Sequence, residues 1–275
     1  MVTPQLTVQL SDGHRIPQLG LGVWQASQYE ARHAVELAIE AGYRHVDTAS
    51  IYGNEEGVGE GIRNASVPRE QIFLTTKIWN DAQGRENAAK AIDASLARLE
   101  VDYVDLLLIH WPAPFQDKYV ETWKALIAAQ QAGKARSIGV SNFNPEHLHR
   151  LIGETGVSPV LNQVELHPFL QQQYLRKHHA SLGIATQSWS PLGQGSALTH
   201  SGIIDMAQKH GRTPAQVIIR WHMELGLIAI PKSITPSRIR ENLDVFNFSL
   251  DAADLESIGK MNTGTRLGPD PASFG

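Results

Sequence analysis

The stretch IFLTTKIWNDAQGRENAAKAIDASLARLEVDYVDLLLIHWP, residues 72–112, contains a complete strand–helix–strand unit. Residues 72–79 and 104–111 are short apolar runs, which predict buried strands. Between them, residues 85–100 have the apolar spacing and the length of an amphipathic helix. Two buried strands joined by a helix predict a parallel pair, because a parallel connection needs a crossover of a dozen or more residues.

The same alternation continues on both sides of this unit. Further strands are predicted at residues 19–24, 45–49, 135–142, 160–167, 184–191 and 227–233. Further helices are predicted at residues 29–41, 55–64, 120–132, 145–154, 172–182 and 203–225, the last with a break near Gly211. Eight such strands in about 250 residues predict an α/β fold of the (β/α)8 barrel type. Ahead of them, Asp12 and Gly13 between alternating apolar residues predict an N-terminal β-hairpin.

The composition predicts one barrel domain over residues 1–275. Of the 275 residues, 42% are hydrophobic, which is enough for a substantial core, and no linker or low-complexity tract marks a boundary. An open, doubly wound sheet is disfavoured as the alternative. The glycines at 57, 59 and 61 lie in a predicted helix and do not have the G-x-G-x-x-G spacing of a dinucleotide-binding turn.

Charge and cysteine content exclude several classes of function. The chain has 24 basic and 28 acidic residues, a net charge of −4, without a basic run, so no nucleic-acid partner is expected. The absence of cysteine excludes disulfides, thiolate nucleophiles and cysteine-ligated metals. The first residues lack the pattern of a signal peptide and no apolar run has the length of a membrane span. A cytoplasmic protein without a membrane partner is therefore expected.

Four polar residues are predicted to converge at the C-terminal rim of the barrel, where barrels of this type carry their active sites. Asp47 and Lys77 lie near the ends of the second and third strands, Tyr52 lies in the loop after the second, and His110 ends the fourth. Lys77 and His110 interrupt otherwise apolar strands, and a buried lysine needs a carboxylate partner such as Asp47. Any one of them alone has a structural explanation, but four complementary groups on one rim favour catalysis.

These residue types suit the transfer of a proton to a carbonyl oxygen. A phenol with a pKa of about 10 is a poor acid at neutral pH, so the Lys77 ammonium is expected to lower the pKa of Tyr52. Asp47 would keep Lys77 protonated, and His110 would orient the carbonyl oxygen of the substrate. The four residues include no electron source, so a cofactor must supply the hydride.

A metal-dependent barrel hydrolase is the main rival interpretation. It would need a His-x-His pair at a strand end, with further ligands on other strands. His147 and His149 instead lie on the predicted helix that Pro145 opens, and His178 and His179 also fall in a helical stretch. No metal site is predicted.

Four blocks of the sequence resemble the aldo-keto reductase family: GYRHVDTASIYGNEEGVGEGIR (42–63), VDLLLIHWP (104–112), RSIGVSNFN (136–144) and IPKSITPSRIRENLDV (230–245). They occur in the family's order and at its spacing, so the resemblance covers essentially the whole chain. Blocks such as ELHPF, WSPLGQG and RLGPDP are most similar to the bacterial 2,5-diketo-D-gluconate reductases of the A type. The resemblance implies a monomeric NADPH-dependent reductase of a small aldehyde or ketone.

The resemblance also assigns roles to individual residues. Asp47, Tyr52, Lys77 and His110 match the family's catalytic tetrad. The positions that match the nicotinamide side of the cofactor site are Ser141, Asn142, Gln163, Trp189, Ser190 and Leu192. The positions that match the adenosine 2′-phosphate and adenine contacts are Lys232, Ser233, Arg238, Glu241 and Asn242. Cations beside a hydroxyl at a helix N-terminus favour a phosphate, and therefore NADPH over NADH; a solvated basic helix face is the alternative.

The substrate is less well defined by the sequence than the cofactor. Trp24, Trp79 and Trp111 lie at or just past strand ends and are candidate walls of a substrate pocket, with rim packing as the alternative. No strand-end arginine is available for a sugar-acid carboxylate, so the reduction of 2,5-diketo-D-gluconate to 2-keto-L-gulonate is implied by the resemblance alone. The alternatives are a broad reductase of aldehydes, methylglyoxal or β-keto esters, and a non-catalytic NADPH-binding regulatory subunit.

Overall fold

The computed structural model describes residues 6–275, which form ten strands and ten helices. The strands are β1 (Thr7–Gln9), β2 (Arg15–Pro17), β3 (Leu21–Gly22), β4 (His45–Asp47), β5 (Phe73–Ile78), β6 (Val104–Ile109), β7 (Ala135–Ser141), β8 (Leu161–Glu165), β9 (Ala185–Trp189) and β10 (Ile228–Ala229). The helices are α1 (Gln28–Ala41), α2 (Glu55–Arg63), α3 (Arg85–Leu99), α4 (Tyr119–Gln131), α5 (Pro145–Thr155), α6 (Gln173–Ser181), α7 (Ser201–His210), α8 (Pro214–Glu224), α9 (Pro236–Leu243) and α10 (Ala252–Gly259).

Strands β3 to β10 form a parallel sheet in chain order, and its two edges meet. Leu19 bridges Ala229 and Gly22 bridges Lys232, both in the parallel sense, so the predicted (β/α)8 barrel is confirmed. The ladders at this seam are shorter than the predicted strands. Strand β10 ends just before Ile230 and Pro231, and a proline has no N–H to donate to a neighbouring strand.

The N-terminal hairpin is confirmed and closes one end of the barrel. Strands β1 and β2 pair antiparallel, with Val8 opposite Ile16. Ile16 and Leu10 are buried in one cluster with the strand residues Leu106 and Leu161. Because this plug fills the N-terminal end, ligand access is left to the C-terminal end of the strands.

The helices lie where the sequence predicts them, with two additions of detail. The predicted break at Gly211 divides the last long helix into α7 and α8; Gly211 has a φ of +60°, and Thr213 accepts a hydrogen bond from the backbone N of Gln216 at 3.3 Å. The sequence analysis did not predict α10. This helix has eight residues, too few for a 3.6-residue period to stand out.

The three glycines of α2 serve close packing between helices. A Cβ atom on Gly61 would lie 2.7 Å from the carbonyl oxygen of Arg32 in α1, and one on Gly59 would collide with the carbonyl of Leu99 in α3. This packing role agrees with the rejection of a dinucleotide-binding turn at these positions. Within residues 6–275, none of the helices combines the length and the apolar character needed to cross a membrane.

Candidate active site

A cavity of about 700 Å³ opens at the C-terminal end of the barrel strands. Its polar lining includes three of the four predicted catalytic residues, Asp47, Tyr52 and His110. The fourth, Lys77, lies beneath them and is fully buried at 0% exposure. The structure therefore brings all four together, as the strand positions predict.

Lys77 and Asp47 form a buried ion pair on neighbouring strands. Lys77 Nζ donates to Asp47 Oδ1 and, at 2.8 Å, to the carbonyl oxygen of Thr48. Gln163 Nε2 donates to the other carboxylate oxygen, Asp47 Oδ2, at 2.7 Å. Burial is the largest single effect on the pKa of Lys77 and lowers it, but Asp47 and Tyr52 together outweigh burial and raise the pKa above its ordinary value. The ammonium is therefore protonated at neutral pH.

Tyr52 lies at the end of the short helical turn after β4. Its hydroxyl is 3.5 Å from Lys77 Nζ, and the ammonium is 5.1 Å from the centre of its ring. Burial raises the pKa of the Tyr52 phenol, and Lys77 opposes this rise without cancelling it. The expected lowering of the phenol pKa is therefore wrong: the phenol is protonated at neutral pH, and Lys77 reduces the free-energy cost of its ionisation.

His110 follows β6 and faces the cavity beside Tyr52. Its ring centre lies 5.7 Å from that of Tyr52 and 5.0 Å from that of Trp79. Burial, followed by the charge of Lys77, holds the pKa of His110 well below its ordinary value, so the imidazole is neutral. Within the described residues, its buried Nδ1 atom has no hydrogen-bond partner.

Four of the six residues predicted to face the nicotinamide form one connected hydrogen-bond network: Ser141, Asn142, Gln163 and Trp189. Asn142 Nδ2 donates to the carbonyl oxygen of His110 at 3.0 Å, and Trp189 Nε1 donates to Asn142 Oδ1 at 2.8 Å. Ser141 Oγ donates to the carbonyl oxygen of Gln163 at 2.8 Å. Asn142, Gln163 and Trp189 line the cavity, whereas Ser141 is fully buried behind them.

Two residues of this wall have an unusual backbone conformation. Asn142 has a φ of +64° and Ser190 a φ of +47°, in the left-handed region that side chains rarely adopt. Both line the cavity, and strain of this kind, about 1–3 kcal/mol per residue, is concentrated at functional sites. Leu192 lies outside the cavity lining and packs against both large core clusters.

The residues predicted to bind the adenosine end lie around the start of α9. Lys232 lines the cavity and is exposed, as is Arg238 in the first turn of α9. Ser233 is buried, and its Oγ accepts a hydrogen bond from the backbone N of Thr235 at 3.3 Å. Asn242 is buried as well. Glu241 already has a partner within the protein, since it accepts from Thr213 Oγ1 at 2.7 Å.

Comparison with protein families identifies the family of the barrel. Residues 18–263 match the aldo/keto reductase family. The chain belongs to the aldo/keto reductase family. This match spans the whole barrel, from the strand that opens it to the segment after α10, and so includes all four rim residues.

Several individual aldo-keto reductases are similar over their full length. The aldo-keto reductase of Mycolicibacterium smegmatis is 56% identical over 99% of this chain and 98% of its own. Methylglyoxal reductase DkgA of Escherichia coli K12 is 54% identical over 98% of both chains. Among solved structures, a mutant of Gox0644 crystallised in complex with NADPH is 50% identical in sequence to this chain. The two structures superpose with a TM-score of 0.96, and the match covers 99% of this chain and 100% of the other.

The aldo-keto reductase cavity has the aromatic walls that the sequence predicts, and one more. Trp24, Trp79 and Trp111 all line it. The C-terminal segment, which we define as residues 266–275, adds Phe274, whose ring centre lies 4.6 Å from that of Trp111. The sequence analysis missed this wall. Its residues have no periodicity, and only the tail's resemblance to relatives drew notice to it.

Two of the four histidines considered for a metal site, His147 and His179, make hydrogen bonds within the fold. His147 Nδ1 accepts a hydrogen bond from the backbone N of Asn144 at 3.1 Å and so supports the start of α5. His179 contacts Asn162 Nδ2 and Thr186 Oγ1 at 2.9 and 2.8 Å. Across residues 6–275, no group of three or more histidine or acidic side chains is arranged to hold a metal ion.

Proposed function

We propose that this chain reduces small aldehydes and ketones to alcohols, with NADPH as the cofactor. The observation that carries the proposal is the position of Tyr52, a protonated phenol at the cavity wall with its hydroxyl 3.5 Å from an ammonium that Asp47 holds in place. The crystal structure of the Gox0644 mutant with NADPH supports the choice of cofactor, because it superposes on nearly the whole chain.

The residues present fit a nicotinamide cofactor. When bound, NADPH supplies the hydride, the two electrons that the side chains of the rim lack. Trp189 offers an aromatic face for the nicotinamide, and its hydrogen bond to Asn142 fixes that face. The left-handed backbone of Asn142 and Ser190 lies at the same wall, and strain of this kind is typical of ligand sites. The exposed cations Lys232 and Arg238 suit the 2′-phosphate at the adenosine end of NADPH. They would bind the uncharged 2′-hydroxyl of NADH more weakly.

Tyr52 acts as the general acid. Its O–H bond breaks as a new O–H bond forms on the former carbonyl oxygen, which leaves a phenolate beside Lys77. The ammonium stabilises that phenolate, and the ion pair with Asp47 keeps the ammonium charged and fixed. The raised pKa of Tyr52 ensures that the proton is present at the start of each turnover.

His110 orients the carbonyl oxygen. Because the imidazole is neutral, it carries one N–H group that can donate a hydrogen bond to the carbonyl oxygen. Edge contacts with Tyr52 and Trp79 hold its ring. A substrate oxygen placed between Tyr52 Oη and this ring would receive its proton from the phenol.

Methylglyoxal is the substrate we favour, with 2,5-diketo-D-gluconate as the second candidate. Among the described residues that line the cavity, Lys232 is the only lysine or arginine, and we assign it to the cofactor. The remaining walls are largely aromatic, which suits a small uncharged dicarbonyl better than a carboxylate. The curated relative from Escherichia coli is named methylglyoxal reductase. The sugar acid remains a candidate because the cavity, at about 700 Å³, has room for it.

Absorbance measurements of NADPH oxidation, with methylglyoxal and 2,5-diketo-D-gluconate under matched conditions, test the proposal. We expect turnover of both and a larger kcat/KM for methylglyoxal. A larger kcat/KM for the sugar acid would reverse the order of the two substrates. Tight NADPH binding, measured by quenching of tryptophan fluorescence, without turnover of either substrate would instead indicate a non-catalytic binding subunit.

A further inference from the structure

A second carboxylate at the C-terminal end of a barrel strand is buried on the far side of the barrel from Asp47. Glu165 ends β8, the sixth barrel strand, whereas Asp47 ends the second. The Glu165 side chain is 0% exposed and its Oε1 lies 3.0 Å from His167 Nε2. The proposed reaction gives Glu165 no role. Burying a carboxylate costs free energy unless hydrogen-bond or ionic partners compensate for its lost hydration.

Glu165 binds the backbone of the C-terminal segment. Its Oε1 accepts a hydrogen bond from the backbone N of Leu267 at 2.6 Å, and its Oε2 accepts one from the backbone N of Gly268 at 2.9 Å. Burial by itself raises the pKa of Glu165, but these bonds and the one from His167 outweigh it, so the pKa is lowered. The carboxylate is therefore ionised at neutral pH and accepts from both amides at once.

These bonds are the polar attachment of the segment to the barrel. Among the described residues, the other hydrogen bonds of residues 266–275 stay within the segment: the backbone N atoms of Ala272, Ser273 and Phe274 donate to Asp270. The Arg266 guanidinium also faces Glu165, at 3.8 Å. Glu165 thus accepts both of the hydrogen bonds that join these ten residues to the described part of the barrel.

The attachment point has no room to spare. A Cβ atom on Gly268 would lie 2.5 Å from Cη2 of Trp189 and 3.2 Å from Oε2 of Glu165. Gly268 is therefore packed between the Glu165 carboxylate and the indole of Trp189, the residue that we assign to the nicotinamide site. Beyond this point Pro269 and Phe274 line the cavity, and Phe274 packs on Trp111.

We infer that Glu165 is a positioning residue for the carbonyl substrate, because its carboxylate holds residues 266–275 across the cavity mouth as the outer wall of the substrate pocket. The expected change in KM for the carbonyl rests on the proposed function, whereas the attachment of residues 266–275 by Glu165 does not. Glu165 touches no reacting group, so its loss raises KM for the carbonyl and leaves kcat unchanged.

Backbone amide hydrogen exchange of the ligand-free protein tests the attachment directly. In Glu165→Gln the Nε2 group cannot accept, so one of the two amides loses its partner. We expect exchange at the amide that loses its partner, Leu267 or Gly268, to be at least about tenfold faster than in the wild type, as for the loss of one charged hydrogen bond. Glu55→Gln is the matched control: Glu55 is equally buried and bonded to Thr76 and Arg98, and its loss leaves exchange at Leu267 and Gly268 unchanged.

A double-variant kinetic comparison then separates positioning from general damage. Leu267→Pro removes one donor instead of the acceptor; because the Leu267 side chain is 40% exposed and also lines the cavity, Leu267→Ala, which keeps the amide donor, is its control. We expect Glu165→Gln and Leu267→Pro each to raise KM for methylglyoxal about tenfold with kcat unchanged. The double variant should be no worse than either single one, because all three release the same segment.

The possible failures are distinguishable. Unchanged exchange at Leu267 and Gly268 in Glu165→Gln overturns the attachment. Faster exchange with an unchanged KM, or additive effects in the double variant, overturns the positioning role while the proposed function stands. If the wild type reduces no carbonyl, the proposed function fails and the positioning role fails with it, although the exchange data still report on the attachment. If Glu165→Gln does not fold, Leu267→Pro alone tests the same bond.

Discussion

Asp47 and Glu165 are both carboxylates buried at the C-terminal ends of barrel strands, on opposite sides of the barrel. Asp47 accepts from the side chains of Lys77 and Gln163, so its charge fixes another charge beside the reacting phenol. Glu165 accepts mainly from backbone amides and His167, so its charge fixes a stretch of chain. Burial alone therefore does not identify a catalytic carboxylate; its partners do.

The largest effect is expected at the Asp47 side. Lys77→Met leaves the Asp47 carboxylate buried without its cation, which costs about 3–5 kcal/mol of unfolding free energy, and lowers kcat by at least about 10²-fold through the loss of phenolate stabilisation. Urea unfolding and steady-state kinetics measure the two effects. The double variant Asp47→Asn with Lys77→Met should recover much of the stability and none of the rate; recovery of the rate would contradict the role of the ion pair.

A comparison of pH dependence probes the buried histidine behind each carboxylate. Burial lowers the pKa of His45, two residues before Asp47, to about 3, and that of His222, whose Nε2 lies 3.3 Å from the carbonyl oxygen of Leu166, to about 4. Both are neutral in the fold, so below about pH 6.5 the unfolded chain binds protons that the folded chain does not. The unfolding free energy should therefore decrease as the pH is lowered, by about 2 kcal/mol per histidine from pH 8 to pH 5.

His222→Gln isolates one of these contributions. We expect the loss of unfolding free energy between pH 8 and pH 5 to be smaller than in the wild type by about the same 2 kcal/mol. Urea unfolding at the two pH values measures it. An unchanged difference would mean that His222 takes up its proton in the folded state.

The cofactor's adenosine end lies outside both carboxylate clusters and gives a smaller effect. Arg238→Ala should weaken NADPH binding about tenfold, as for one charged hydrogen bond to phosphate, and leave NADH binding nearly unchanged. Arg240→Ala, also exposed and on the same helix, is the control and should affect neither cofactor. Fluorescence titration with NADPH and NADH measures the ratio of the two affinities. Equal weakening of both cofactors by Arg238→Ala would contradict a contact between Arg238 and the 2′-phosphate.

The smallest effect is expected at the wall that Glu165 holds in place. Phe274→Ala removes the ring packed on Trp111 and should raise KM for methylglyoxal about threefold, in line with the loss of one aromatic contact. Phe115, which is 76% exposed and outside the cavity lining, supplies the control Phe115→Ala. An equal effect of both substitutions would argue against the wall.

The barrel and its rim were predictable because both depend on local patterns. Alternating strands and helices have distinct periods, and parallel strands place their C-terminal ends on one face, so Asp47, Lys77 and His110 had to converge. Glu165, like Lys77, is a charged residue in a buried strand, but β8 also contains Asn162 and Gln163, so the charge does not stand out from an apolar background, and the sequence analysis overlooked it. Its partners, Leu267 and Gly268, are about 100 residues away and contribute only backbone atoms, which no side-chain pattern reveals.

The direction of the Tyr52 pKa shift was the other point that required the structure. The sequence places an ammonium near the phenol, which lowers its pKa, but it does not show how deeply the phenol is buried. Burial is the larger effect here. The same limit applies to the seam of the barrel, where Pro231 shortens a ladder whose partner strand is far away in the chain.

The most direct test of the account is the rate of NADPH oxidation by Tyr52→Phe with saturating methylglyoxal, measured beside its NADPH affinity. We predict that kcat falls by at least about 10²-fold, as for the loss of a general acid, while NADPH binds as it does to the wild type. A variant that binds NADPH normally and turns over at the wild-type rate would contradict the assignment of Tyr52 as the proton donor.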